Sequence, residues 1–140
     1  MSNKDQYDEK ILQILQEDSR KSFVEIAESI GLSESAVRRR IKNLIDNKII
    51  KRFTIEVNNN EKTSAITLIS VASTSDTSTV TDKLLKLRGI DVIYEITGQY
   101  DIAVIISAPA VSEINSYIDD VRKINGVSDT NTVIILKTMK

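Results

Sequence analysis

Residues 33–45, SESAVRRRIKNLI, combine a helix start, helical apolar spacing and a dense positive charge. The Ser33 hydroxyl can cap a helix, and Glu34 places a negative charge near the positive N-terminal end of that helix. The residues predicted to face a core are Val37, Ile41, Leu44 and Ile45. The residues that share a second, polar and cationic face are Ser35, Arg38, Arg39 and Lys42. A face of this kind suits phosphates and base edges, so the stretch is predicted to be a recognition helix.

The net charge of the 140-residue chain is only −1, but the charge is unevenly distributed. Residues 33–52 contain seven Lys or Arg and two acidic residues, whereas residues 1–32 carry a net charge of −3. Binding to a polyanion must therefore be local. The length and the 41% hydrophobic content allow one or two small domains.

The chain contains no Cys and no His. Disulfides, thiolate nucleophiles, histidine bases and the usual zinc sites are therefore excluded, and we expect no cofactor and no metal. The longest apolar run, residues 102–106, is too short to span a bilayer, and the N-terminus lacks the apolar core of a signal peptide. We expect a soluble, cytoplasmic protein with no membrane partner.

The residues before the recognition helix predict two more helices. The first follows Asp8 and ends near Asp18, and the second begins at Ser22, with Glu25 at the spacing of a capping box. Gly31 ends the second helix and opens a tight turn, so the order is that of a helix-turn-helix. Residues 49–57 are rich in β-branched side chains and nearly alternate, which indicates a strand or wing.

The fold class predicted from the whole chain is α+β, with a winged helix-turn-helix domain over residues 1–57 and a polar linker over 58–63. Residues 64–140 form the second domain. Its strands are predicted over 64–72, 90–97, 102–107 and 127–137. One helix carries Val80, Leu84 and Leu87 and stops at Gly89, and another runs from Pro109 to Gly126. This βαββαβ order is the ferredoxin-like arrangement, with a hairpin connection at residues 98–101.

Two of the predicted strands are apolar on both faces. In the first, Ile66 and Leu68 oppose Ile69 and Val71, and the last strand repeats the pattern over residues 133–136. Two helices can cover only one face of the sheet, so the other would expose an apolar patch. We therefore expect self-association, most simply as a symmetric homodimer.

The order and spacing of these motifs resemble the Lrp/AsnC (leucine-responsive, feast/famine) transcription regulators, over almost the whole chain. The resemblance is carried by residues 7–12 (YDEKIL), 26–27 (IA), 31–33 (GLS), 37–44 (VRRRIKNL) and 97–101 (TGQYD). It implies double-stranded DNA as a partner. Two-fold symmetry of the expected homodimer predicts a pseudo-palindromic operator, and we expect the dimers to build a higher assembly.

The resemblance also implies an amino-acid effector, bound between subunits near the Gly-x-x-Asp turn and the start of the last strand. Carried over, the effector-binding residues are Gly98, Tyr100, Asp101, Thr130 and Thr132. Asp101 can take the ammonium group of a zwitterion, and hydroxyls and backbone amides can take its carboxylate. The candidate DNA-binding residues are Ser33, Ser35, Arg38, Arg39, Arg40, Lys42, Lys51 and Arg52. For Arg40, which points away from the Arg38/Arg39 face, an internal salt bridge or a flanking phosphate fits better than a base.

The chain departs from the family pattern in two places. Lys48 stands where the family commonly has Gly before the wing, and we expect Asn47 to adopt the left-handed turn instead. The Asn58–Asn60 hinge is shorter and more polar than the family's usual one.

The function that these features predict is a sequence-specific transcription regulator that responds to a small amino acid. Two alternatives use the same features: an architectural protein that coats DNA with little sequence preference, and a stand-alone amino-acid sensor. An enzyme is disfavoured because no nucleophile–base constellation is visible in the sequence.

Overall fold

The computed structural model describes residues 4–57 and 61–139. The chain divides into two units, Met1–Val57 and Asn58–Lys140. The described part of the first unit holds helices α1 (Gln6–Glu17), α2 (Phe23–Ile30) and α3 (Glu34–Asp46). Residues 58–60 of the predicted linker lie outside the described residues.

Helix α1 begins earlier than the sequence predicted. Its cap is Asp5, whose carboxylate accepts hydrogen bonds from the backbone N–H groups of Tyr7 and Asp8. In the reciprocal hydrogen bond, the Asp8 carboxylate accepts from the Asp5 N–H. The prediction that the helix starts after Asp8 is wrong, because Asp8 is the third helical residue of a reciprocal capping box.

The predicted start and end of α2 are confirmed. Ser22 and Glu25 form the capping box, and Gly31 ends the helix with a left-handed backbone (φ 73°). The Leu32 N–H donates to the Ala27 carbonyl at 3.0 Å, which closes the turn into α3. The helix-turn-helix is therefore present as predicted.

Helix α3 buries one stripe of apolar side chains. Val37, Ile41 and Leu44 are buried and join Ile11 and Ile26 in the core of the first unit. The prediction for Ile45 is wrong, since that side chain is 44% exposed. Residue 45 lies in the last turn of the helix and at the edge of the stripe, where the other two helices do not cover it.

The turn after α3 differs from its prediction. Lys48 itself adopts the left-handed backbone (φ 57°), whereas Asn47 keeps φ at −81°. The Ile49 and Ile50 N–H groups both donate to the Leu44 carbonyl, so the chain folds back on the helix end at once. Lys48 is the residue at which this reversal needs a positive φ.

The strand predicted over residues 49–57 is wrong. Residues 51–57 have no regular secondary structure, and no described residue pairs with them as a neighbouring strand. A strand needs a hydrogen-bonded neighbour, and β propensity does not supply one. Phe53, Ile55 and Val57 are left exposed.

The second unit is α+β, as predicted. Its elements are β1 (Thr63–Val71), α4 (Thr77–Leu84), β2 (Ile90–Glu95), β3 (Ile102–Ala108), α5 (Val111–Arg122) and β4 (Val127–Ile135). The strands form one antiparallel sheet in the order β2-β3-β1-β4, which is the ferredoxin-like topology. Several predicted elements ran one to four residues too far, and Leu87 packs against the core from beyond the end of α4.

One face of the sheet is covered by α4 and α5. Alternate residues of β3, from Ile102 to Ala108, are buried on this face together with Ala65 and Ile69 of β1. The opposite face, which we call the open face, is lined by side chains that are half-buried or exposed in the single chain. The apolar residues of the open face are Ile66, Leu68, Val92, Tyr94, Ala103, Ile105, Val133 and Ile135.

Replacing Lys48 by glycine should stabilise the protein. A left-handed residue with a Cβ is strained, and glycine removes that strain at the cost of a more flexible unfolded chain. We expect Lys48→Gly to raise the free energy of unfolding by about 0.5–1 kcal/mol in urea titrations followed by circular dichroism. Asn47→Gly is the matched control and should bring no gain; an equal gain in both variants would contradict the strain at Lys48.

Candidate DNA-binding and effector sites

Helix α3 presents a cationic surface, which we call the recognition surface: Ser35, Arg38, Arg39 and Lys42. All four side chains are exposed, because burial of the opposite stripe turns them outward. Ser33 caps the helix by accepting from the Ala36 N–H at 3.2 Å, and its hydroxyl lies 3.2 Å from that of Ser35. The Ser33 hydroxyl is thus engaged in capping the helix, while the neighbouring Ser35 hydroxyl faces outward.

The cations of the recognition surface differ in their partners. Arg38 Nη2 donates to Glu34 Oε1 at 2.6 Å, and Lys42 Nζ donates to Asp46 Oδ2 at 2.6 Å. Arg39 has no ion-pair partner in the described part of the chain. The positive charge of Arg39 is therefore not compensated by a paired carboxylate, whereas those of Arg38 and Lys42 are partly compensated by Glu34 and Asp46.

Arg40 is half-buried and is paired within the first unit. Its Nη1 donates to Asp5 at 2.7 Å and to Asp8 at 2.9 Å, and its guanidinium lies 5.4 Å from the centre of the Tyr7 ring. These hydrogen bonds to Asp8 and Asp5 raise the pKa of Arg40. The pKa of Asp5 is lowered, chiefly by the Asp8 N–H and further by Arg40. Of the two roles open to Arg40, the structure shows the internal salt bridge, which ties the start of α1 to α3.

Lys51 and Arg52 lie in the irregular segment after α3. Both are exposed, and with residues 49–56 they border a cleft against the C-terminal part of α1. The positive charge expected from a wing is therefore carried by an irregular segment.

The Gly98–Asp101 turn joins β2 to β3, and Gly98 has a positive φ of 121°. Asp101 ties the turn to β1, because its backbone N–H donates to the Ile69 carbonyl at 3.0 Å and its Oδ2 accepts from the Val71 N–H at 2.7 Å. The pairing of β1 with β4 shifts at Ser70/Val71. One oxygen of Asp101 thus supports the fold, and the other accepts no hydrogen bond within the described residues.

The other candidate effector residues lie on β4 or contact it. Tyr100 accepts a hydrogen bond from the Asn131 amide at 3.3 Å. Thr132 shares a 2.9 Å hydroxyl contact with Thr67, which is fully buried beneath the helices. Thr130 accepts from Arg122 Nε at 3.0 Å. Because side chains alternate along a strand, Thr130 and Thr132 face the helices and Asn131 faces the other way. Within one chain the five candidates thus form two groups.

Thr130 and Thr132 line a polar cleft between α5 and β4, which we call the α5–β4 cleft. Its lining is Val111, Asn115, Ile118, Asp119, Arg122, Thr130, Asn131, Thr132 and Ile134. Arg122 also pairs with Asp119 at 3.4 Å, so a cation, an anion and hydroxyls meet there. Sequence reasoning missed Asn115, Asp119 and Arg122. Their i, i+4, i+7 spacing marks a polar stripe beside the apolar face of α5, but only the fold shows that β4 borders it.

No group of His, Cys, Asp or Glu among the described residues could hold a metal ion. No helix in residues 4–57 or 61–139 is long and apolar enough to cross a membrane.

Comparison with known proteins agrees with this two-unit arrangement. Residues 5–45 match the AsnC-type helix-turn-helix domain, and residues 64–140 match the Lrp/AsnC ligand binding domain. The chain is 42% identical to the HTH-type transcriptional regulator LysM of Saccharolobus solfataricus over 98% of this chain and 96% of that protein. It is 40% identical to the regulator FL11 of Pyrococcus furiosus over 97% and 91% of the two chains.

Solved structures agree as well. The fold is similar to that of the transcriptional regulator NMB0573 from Neisseria meningitidis, solved in complex with L-Met, with a TM-score of 0.88 and 26% identity. The alignment covers 99% of this chain and 93% of that one.

A helix-turn-helix unit with an exposed cationic helix, followed by a ligand-binding α+β unit, defines a DNA-binding transcription regulator. The chain belongs to the Lrp/AsnC family of such regulators, so the predicted resemblance is confirmed. Its relatives and both of its domains identify a regulator and not an enzyme.

Proposed function

We propose that this regulator binds a specific, pseudo-palindromic DNA operator as a homodimer or an assembly of dimers, and that a small amino acid changes this binding. The observation that carries the proposal is the recognition surface on α3. Its exposed cations occupy the helix that follows the turn of a helix-turn-helix, which is the helix that enters the major groove in such modules.

The DNA contacts divide into base-reading and phosphate-binding residues. Arg38 and Arg39 lie in the middle of the recognition surface, and an arginine fork can read the O6 and N7 edge of guanine. Lys42, Lys51 and Arg52 carry charges suited to phosphates, which position the protein without reading sequence. Arg40 is not among the proposed DNA contacts, because its guanidinium forms ion pairs with Asp5 and Asp8 at the start of α1.

Arg39→Ala should weaken binding to the preferred DNA sequence by about 1–3 kcal/mol, if Arg39 reads a guanine. The preferred sequence comes from selection on a randomised duplex library, and affinity is then measured at fixed salt. Lys51→Ala should instead weaken specific and non-specific binding alike and flatten the salt dependence.

Arg88→Ala in the second unit makes the same change of charge as Arg39→Ala and should leave affinity unchanged. Unaltered affinity in Arg39→Ala, or no preference for the selected duplex over random DNA, would favour an architectural role that coats DNA.

The open face of the sheet supports self-association. Val133 and Tyr94 are 50% and 53% exposed in the single chain and lie among apolar neighbours, a contiguous patch that a monomer would leave in water. A second copy of the chain, related by a two-fold axis, would cover this patch. Two recognition helices would then face half-sites about one helical turn of DNA apart, or a multiple of it.

Val133→Glu should dissociate the protein to monomers at micromolar concentration in sedimentation experiments, because a carboxylate would be buried without a partner at the interface. The parent should sediment as a dimer or larger. Leu85→Glu is the matched control, since Leu85 is also exposed but lies off the sheet. A monomeric parent, or a Val133→Glu variant that assembles like the parent, would contradict the role of the open face.

The α5–β4 cleft supports an amino-acid effector. Arg122 can take an α-carboxylate, Asp119 an ammonium group, and Thr130 and Thr132 can supply hydroxyls. The Gly98–Asp101 turn would complete the site from another subunit, with Tyr100 and the second oxygen of Asp101. The Neisseria meningitidis relative in complex with L-Met supports a ligand of this class.

Asp101→Asn should abolish the response to the effector. The amide oxygen can still accept from the Val71 N–H, so the turn is preserved while the charge for an ammonium group is lost. A thermal-shift screen of all twenty amino acids identifies the effector on the parent, because a ligand that binds only the folded state raises its stability. DNA titrations with and without that amino acid then compare the variants.

Asp120→Asn removes a carboxylate of α5 that pairs with Lys123 and does not line the cleft, and it should respond like the parent. If Asp101→Asn also responds like the parent, Asp101 does not bind the effector. A thermal shift without any effect on DNA binding would identify a stand-alone sensor.

A further inference from the structure

The guanidinium of Arg38 is held on two sides. Its Nη2 donates to Glu34 Oε1 at 2.6 Å, one helical turn earlier in α3. Its Cζ lies 4.6 Å from the centre of the Phe23 ring, at the start of α2. A side chain with four rotatable bonds is thus fixed at its end by a carboxylate and by an aromatic face.

Folding stability gives little reason for this arrangement. The side chains of Arg38 and Glu34 are 61% and 48% exposed, and exposed pairs at this helical spacing contribute little to stability because water and salt screen them. A carboxylate beside the recognition surface also repels phosphates and so opposes non-specific DNA binding. Any benefit of the pair to DNA binding would lie in how it orients Arg38, to which the Phe23 ring adds a second contact that Lys42, paired with Asp46, does not have in the described part of the chain.

The geometry of the fork supplies that benefit. A guanidinium has five N–H groups in one plane, and two of them reach the O6 and N7 atoms of a guanine. With Nη2 held by Glu34, N–H groups remain for the base edge, and the Phe23 ring restricts the plane in which they point. The entropy of ordering the arginine is then lost in the free protein instead of on binding.

We propose that Glu34 is a specificity-determining residue, which together with Phe23 positions Arg38 to read a guanine. The inference rests on the proposed function, in that it requires Arg38 to face a base in the complex. Glu34 would then have two effects: it would weaken binding to random DNA, and it would strengthen the preference for one base pair. Arg39 has no such partner in the described part of the chain and reads or neutralises DNA without this constraint.

The test is selection on a randomised duplex library with the full-length parent and its variants, followed by affinities for the selected duplex and for random duplex at fixed salt. Glu34→Ala should lower the preference for guanine at one position of each half-site by about tenfold, and should bind random duplex more tightly. Glu34→Gln keeps an oxygen that accepts from Arg38, so it should retain most of the preference while also gaining affinity for random duplex.

The two variants separate positioning from the effect of Glu34 on the helix. Both remove the negative charge near the N-terminus of α3, so a loss of helix stability would affect them equally. A preference that is lost in Glu34→Ala and kept in Glu34→Gln therefore reports the hydrogen bond to Arg38. Phe23→Leu, which keeps an apolar side chain but removes the ring, should lower the same preference and replaces Glu34→Ala if that variant does not fold.

Asp46→Ala is the matched control. Asp46 pairs with Lys42 at the same 2.6 Å distance and the same spacing in α3, so its removal changes the charge equally and should raise affinity for random duplex without altering base preference. If Arg38→Ala abolishes the preference but Glu34→Ala and Phe23→Leu keep it, the positioning role is wrong and the base-reading role of Arg38 stands. If Arg38→Ala still binds with the parent's preference, the proposed role of Arg38 itself fails, and the inference fails with it.

Discussion

Burial of Val37, Ile41 and Leu44 fixes the rotation of α3 about its own axis, and what the first unit presents to DNA depends on that rotation. Each of these side chains stabilises the fold by about 1.5–3 kcal/mol when buried, whereas an exposed ion pair on the same helix contributes well under 1 kcal/mol. The core therefore decides which residues face outward. Arg38 and Arg39 face solvent because the core needs the opposite stripe, and Arg40, one position further, meets the carboxylates at the start of α1.

The second unit is shaped by a different constraint. A four-stranded sheet has two faces, and α4 and α5 cover one of them. The apolar residues on the open face favour association of the sheet with another surface. The polar stripe of α5 borders a cleft at the β4 edge. The open face and the cleft are therefore different surfaces of the same small unit.

Local signals predicted the fold well. The Ser22–Glu25 capping box, the Ser33 cap and the stop at Gly31 depend on residues close in sequence, and all are present. The start of α1 was missed although its Asp5–Asp8 capping box is local, and so were features that depend on distant residues. From the sequence, residues 51–57 were expected to pair as a strand, but no described residue pairs with them. The hydrogen bond from the Val71 N–H to the Asp101 carboxylate, 30 residues away, could not be foreseen either. The left-handed backbone at Lys48 went against local preference because two N–H groups beyond it bond the end of α3. For the candidate sites, the cationic residues and the turn could be predicted from the sequence, but the partners of Arg38 and Arg40 and the α5 side of the cleft could not.

The hydroxyl contact between Thr67 and Thr132 helps to exclude misaligned pairings of the edge strand β4. On the face covered by the helices, Thr67 of β1 pairs with Thr132 of β4, and its neighbours Ala65 and Ile69 pair with Ile134 and Thr130. A slip in one direction would place Ile134 against Thr67 and leave a buried hydroxyl unsatisfied, which costs about 1–3 kcal/mol. A slip in the other direction would bring Thr130 there and take it from Arg122. The hydroxyl pair thus helps to set the alignment of β4 on β1, because either two-residue slip separates Thr67 from Thr132.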